Sequence, residues 1–207
     1  ESPAAFHVAS LRVKLAKAAR YAGCTATLGA ALSRQSPSVL LEGEGAELEL
    51  DGLALLGESQ VADTHSYIDH VLPGITSRQL HKCIVDDRAR AIFNGQVMVR
   101  PGAQGTDARQ ASRNLLLSPE ARVDTMPQLE IFADDVKCSH GAAVGQLDPE
   151  ELFYLASRGL DPQAARNLLI YGFAADVLAD IPVPSLRRNL RRTVMARTRT
   201  AGLEGMA

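Results

Sequence analysis

Between Ser38 and His140 the pattern of apolar and polar positions reads mostly as short strands. In "VLLEGEGAELELDGLALLG" Ala46, Leu48 and Leu50 alternate with Glu47 and Glu49, which predicts a strand with one apolar face and one wet face. Breakers interrupt the pattern at short intervals: Gly43, Gly45, Gly52, Gly57, Pro73-Gly74, Gly95, Pro101-Gly102 and Gly105. Short strands so punctuated predict a sandwich, a barrel or a solenoid in preference to an α/β fold. A weak repeat favours the solenoid. "IVDDRARAIF" (Ile84–Phe93), "LLSPEARVDT" (Leu116–Thr125) and "IFADDVKCSH" (Ile131–His140) each run from an apolar strand end through a polar corner into a second strand. Two stretches resist this reading. Asn94-Gly95, between apolar runs, is a strong hairpin cue that a solenoid would use as a corner. Leu11–Ala22 is rich in helix formers, yet Leu11, Val13 and Leu15 alternate with Arg12 and Lys14.

After Gly145 the period changes. Asp148 stands as an N-cap before Pro149, Glu151 follows three residues after the cap, and Gly159 marks a stop. Asp161-Pro162 repeats the start signal, with Ala165, Leu168, Leu169 and Phe173 on one stripe. A third helix is predicted from Ser185 to about Arg197, carrying a basic stripe of Arg187, Arg188, Arg191 and Arg192. The chain therefore divides into a β body over residues 1–145 and a small helical domain over residues 146–207.

Composition narrows the function classes. With 46% hydrophobic residues, 4% aromatics and no Trp among 207 residues, the chain can bury a core, and that core must be aliphatic. A formal net charge of −2 argues against nucleic-acid binding through bulk electrostatics. No apolar run reaches the roughly 20 residues that span a bilayer, so a soluble chain is expected. Three widely spaced cysteines suggest a reducing compartment and no disulfide framework. The first residue is Glu, which suggests a fragment or a processed chain.

Candidate chemistry concentrates in "ADDVKCSHGAAVG". On a strand, Cys138 and His140 share a face with Ser139 opposite, their Cβ atoms roughly 6–7 Å apart. A thiolate and an imidazole at that distance can converge on one metal ion, but a structural site wants four ligands, so a partner must complete it. The competing reading is a core cysteine beside a histidine bonded to a backbone carbonyl. His65 and His70, five apart, fall on opposite faces of a strand, and His81 precedes Lys82 and Cys83; all three read as structural. No nucleophile motif, phosphate-binding loop or dinucleotide fingerprint occurs, so no catalytic machinery is expected.

"FNG" (Phe93–Gly95), "LLLSPEA" (Leu115–Ala121), "VDTMPQLEIFADDVKCSHGA" (Val123–Ala142) and "LFYLASRG" (Leu152–Gly159) occur together and in order. In these residues the chain resembles the SufB/SufD family of SUF iron–sulfur cluster assembly scaffolds, over Asp63–Phe173 and more loosely back to Leu28. Ser139 and Gly141 resemble the SufD branch, SufB-like chains tending to carry Glu at both places; Gly105 stands where many relatives carry Lys. The resemblance implies a parallel β-helix (solenoid) followed by a C-terminal helical domain, with Asn94-Gly95 at a coil corner and Leu11–Ala22 a strand. It also implies a longer parent protein, with an N-terminal helical region and first coils outside this chain. The implied partners are a SufB-like subunit packed beside the β-helix and a SufC-like ATPase docked on the C-terminal helices, around Leu152, Phe153, Leu155, Leu168, Leu169 and Phe173. The implied cargo is a transient iron–sulfur cluster or iron shared with SufB, with His140 as its ligand and Cys138 as companion. The compartment would be bacterial cytoplasm or plastid stroma. The alternatives are a β-helix enzyme acting on sugars or acyl groups, and a purely structural SufB partner in which Cys138 and His140 are inert.

Overall fold

Ten strands alternate between two parallel sheets in the computed structural model, which describes residues 2–197. The first sheet has the order β1-β3-β5-β7-β9: β1 (Phe6–Leu15), β3 (Leu32–Leu41), β5 (Val61–His70), β7 (Arg90–Val99) and β9 (Arg122–Ile131). The second has the order β10-β8-β6-β4-β2: β10 (Val136–Gly145), β8 (Thr106–Leu116), β6 (Thr76–Val85), β4 (Glu47–Leu56) and β2 (Arg20–Thr27). Each strand lies beside the strand two earlier in the chain, so the chain winds as a flattened parallel β-solenoid. In-register stacking follows from period-two alternation, because the same parity points inward on every coil. Val39, Ile68, Val97 and Leu129 form one such stack. Fully burying each such side chain contributes about 1.5–3 kcal/mol.

The corners sit where the repeat placed them: Asp86–Ala89 leads into β7, Leu117–Ala121 into β9 and Phe132–Asp135 into β10. Gly45, Gly74 and Gly105 occupy equivalent corners at φ near +70°, and the stack is tied by Gly74 N–H donating to Gln104 O (2.9 Å) and Gly105 N–H to Asp135 O (2.6 Å). A side chain at Gly105 would be strained in that left-handed conformation. Leu11–Ala22 is strand on both sides of a turn at Lys17-Ala18, as the family resemblance implied; the ladder with β3 and β4 outweighs helix propensity.

Asn94-Gly95 is neither hairpin nor corner, which corrects that expectation. Both residues lie mid-strand in β7. Gly95 faces inward, and a Cβ there would overlap the Gln110 amide and the Phe93 ring, so the glycine supplies room and not a turn. Gly52, also mid-strand, does the same for the His81 ring.

Three helices follow: α1 (Pro149–Ser157), α2 (Pro162–Ala179) and α3 (Pro184–Arg197). Asp148 caps α1 by accepting from Glu150 N–H, and Asp161 caps α2 by accepting from Gln163 and Ala164 N–H. Gly159 ends the first unit at φ +92°. The helices cover the outer face of the second sheet, where Leu53, Leu55, Ile84 and Leu115 pack against Ile170, Ala174, Val177 and Leu178. This explains why β4 is buried on both faces after Gly52, whereas Glu47 remains exposed. Half the basic stripe of α3 is turned onto the protein: Arg191 lies 5.2 Å over the Tyr171 ring and Arg187 donates to Ala179 O. No helix among the described residues is long and apolar enough to cross a membrane.

Candidate functional site

Among the described residues, the solenoid stops without a cap at its C-terminal end. β10 pairs only with β8 and β9 only with β7, so both present a free edge, and the inner face of the last coil is open. Cys138 lies beside Ala108 and His140 beside Gln110, both inner-face residues of β8, whereas Ser139 pairs with exposed Arg109. The two candidate ligands therefore share the inner face of the open coil.

Their environments differ. Cys138 is half-buried against the main core. Desolvation raises its thiol pKa, with Asp107 adding to the rise and the Ala108 backbone hydrogen bond opposing it. It rests as a neutral thiol and must lose a proton to ligate. His140 is exposed, on the rim. Two donors on one face, one of them a thiol, suit iron or a nascent cluster but do not fill a coordination sphere. The free strand edge beside them is where further ligands can arrive.

The histidines read as structural are so placed. His65 is half-buried and pairs with Asp63 at 2.9 Å; His70 is on the opposite, buried face and bonds Ser77 Oγ at 2.9 Å. His81 stacks on Phe93 with centroids 4.6 Å apart.

Of the residues expected to dock an ATPase, Leu168, Leu169 and Phe173 line one cleft, and Leu152, Phe153 and Leu155 lie on α1. Phe153 is 75% exposed on α1, where Leu152 and Leu155 are half-buried. Leu168 and Leu169 on α2 border a cleft of about 500 Å³ between that helix and the ends of β8 and β10. Phe173 points at the sheet, its ring centroid 4.7 Å from Lys82 Nζ. Tyr154, 56% exposed beside Phe153, adds to the exposed apolar surface of α1 and was not among the residues named from the sequence.

A second cluster, unseen in the sequence, lies on the outer face near the other end. Glu49, Asp51 and Asp180 bring carboxylate oxygens within 4.8 Å of one another, and Cys24 pairs with Asp51 in register. Burial, then Glu49 and Asp180, raise the Asp51 carboxyl to about 6; burial, then Asp51 and Asp180, raise the Cys24 thiol to about 11. Because the folded pKa of Asp51 is raised, its charged form costs stability above pH about 6, and the cost is absent below pH about 4. Asp51→Asn is expected to stabilise the fold at pH 7.5 by about 1 kcal/mol, discounted for solvent screening, with no gain at pH 3.5. Urea titrations at the two pH values check this.

Comparison with known proteins agrees with the geometry. The family described as "SUF system FeS cluster assembly, SufBD core domain" matches residues 1–173, further toward the N-terminus than the motifs alone reached. The chain is 46% identical over 198 residues to an iron–sulfur cluster assembly SufBD family protein of Synechocystis, covering 96% of this chain and 44% of that protein. It is 43% identical to the iron–sulfur cluster assembly protein SufD of Escherichia coli (95% and 46% covered) and 40% identical to the chloroplastic protein ABCI7 of Arabidopsis thaliana (94% and 41%). The chain thus spans less than half the length of these relatives. With the motifs, the solenoid and this match in agreement, the chain belongs to the SufBD core family of the SUF iron–sulfur cluster assembly system.

Proposed function

We propose that this chain is part of a SufD-like scaffold subunit that pairs with a SufB-like subunit at the open end of its solenoid and helps to acquire iron and assemble clusters. A transient cluster or iron, shared with that partner, is its cargo. His140 is the ligand from this chain, and Cys138 is its companion. The observation that carries this reading is the uncapped last coil, with both donors on its inner face beside an unpaired strand edge. A SufC-like ATPase docks on the helices, with Phe153 and Tyr154 of α1 as exposed anchors and Leu168 and Leu169 beside the cleft. The chain acts as a scaffold and not as an enzyme of its own, in bacterial cytoplasm or plastid stroma.

The test uses the full-length protein assembled with its SufB and SufC partners under anaerobic conditions. His140→Ala is expected to leave the complex intact by size and to lower iron and sulfide bound per complex at least severalfold. A complex that falls apart would make His140 an interface strut. An intact complex with unchanged iron would make the site inert and the chain a structural partner.

A further inference from the structure

The inner face of the second sheet changes character toward its open end. One stack of register-paired positions reads Leu50, Gln79, Gln110, His140 across β4, β6, β8 and β10. Gln79 and Gln110 are 6% and 3% exposed, in positions where an apolar side chain would extend the core. Their amides are wired together. Gln110 Nε2 donates to Gln79 Oε1 at 2.8 Å, and Ser66 Oγ donates to the same oxygen at 3.2 Å. Gly95 is kept free of a Cβ to make room for the Gln110 amide.

One atom of this ladder is left over. Gln110 Oε1 is buried and accepts no hydrogen bond among the described residues. An orphaned buried acceptor costs about 1–3 kcal/mol, so its retention calls for a donor that arrives in another state. The residue next to Gln110 on the same face is His140, one strand spacing away at about 4.8 Å. An imidazole that ligates through one ring nitrogen carries a proton on the other, and a neighbouring acceptor fixes which is which.

We propose that Gln110 is a positioning residue for the metal site: its free Oε1 accepts the ring N–H of His140 and so turns the other ring nitrogen toward the iron or nascent cluster. The inference rests on the reading of His140 as a ligand. Gln79 and Ser66 hold the Gln110 amide in the orientation that leaves Oε1 free, and the neutral ladder lets His140 turn inward without burying a charge.

The test compares Gln110→Met, which keeps the volume and removes the acceptor, with Gln79→Met, which breaks the ladder one coil further in. Both are made in the full-length protein with its partners, and thermal melts establish that each folds. In the metal-free complex carrying ¹⁵N-histidine in this chain alone, long-range proton–nitrogen correlations should show His140 as one tautomer in wild type and as a mixture in Gln110→Met. Titration with ferrous iron under anaerobic conditions should show affinity falling about tenfold or more in Gln110→Met. The same change in a His140→Ala background should shift affinity less than twofold. A larger effect of Gln79→Met than of Gln110→Met, additivity with His140→Ala, or an unchanged tautomer would overturn the proposal. If His140→Ala itself leaves iron binding unchanged, the ligand reading fails, while the tautomer still decides whether the hydrogen bond exists.

Discussion

Between pH 7.5 and pH 4 the fold is expected to lose about 6 kcal/mol through two buried histidines, His70 and His81. Burial lowers each to about 4, with Asp69 opposing the shift at His70. Both therefore stay neutral when folded, whereas the unfolded chain takes up protons at about 6.5. Stability is complete above pH 6.5 and declines as pH falls toward 4, by about 3 kcal/mol for each ring. The structure shows why. His70 spends one ring nitrogen on Ser77 and leaves Nδ1 without a partner among the described residues, and His81 is stacked in the interior against Phe93. An imidazolium at either place would bury an unpaired charge. Asp51 works in the opposite sense and returns part of the loss, but it is partly exposed. Since domains are stable by about 5–15 kcal/mol, this loss is enough to unfold a marginal one. Denaturant midpoints measured every half unit should fall steeply below pH 6, and His81→Leu should flatten the slope by about half. A midpoint indifferent to pH down to 4 would refute the assignment.

Asp176→Ala is expected to cost about 3–5 kcal/mol, and Lys82→Met distinctly less. Lys82 projects from β6 into the helical layer with its side chain only 4% exposed, donating to both carboxylate oxygens of Asp176 at 2.6 Å and to Phe173 O at 2.8 Å. Removing Asp176, itself half-exposed, strands a buried ammonium; removing Lys82 leaves a carboxylate that water can reach. Because the pair joins α2 to the sheet, the damage should appear as faster amide exchange in α2 and α3 before the solenoid opens. Equal costs for the two substitutions would contradict this account of which partner is trapped.

Much of this fold could be read from residue pattern because a solenoid repeats one local rule. Period-two alternation, polar corners and two Asp-Pro helix starts each act within a few residues, and each stands where expected. Asn94-Gly95 misled because its reason is distant: Gly95 answers to Gln110, a neighbour only after the chain has gone round. The same limit hid Lys82 and Asp176, separated by 94 positions, and the carboxylates of Glu49, Asp51 and Asp180. Cys138 and His140 were legible as a same-face pair from spacing alone. Their seat on an open coil end was not, since nothing local states where the stacking stops. The inward glutamines left one trace, amides at positions whose parity is otherwise apolar, but only a known register makes that trace readable.

The most direct test of the central claim is hyperfine spectroscopy on the reduced cluster in the full-length scaffold complex. Histidine is labelled with ¹⁵N in this chain only, and the cluster is assembled anaerobically. A ¹⁵N coupling of the size expected for a directly bound imidazole, absent from His140→Ala, is the predicted result. A cluster that forms normally with no nitrogen coupling from this chain would contradict the account, and the open coil would then be an interface without a ligand.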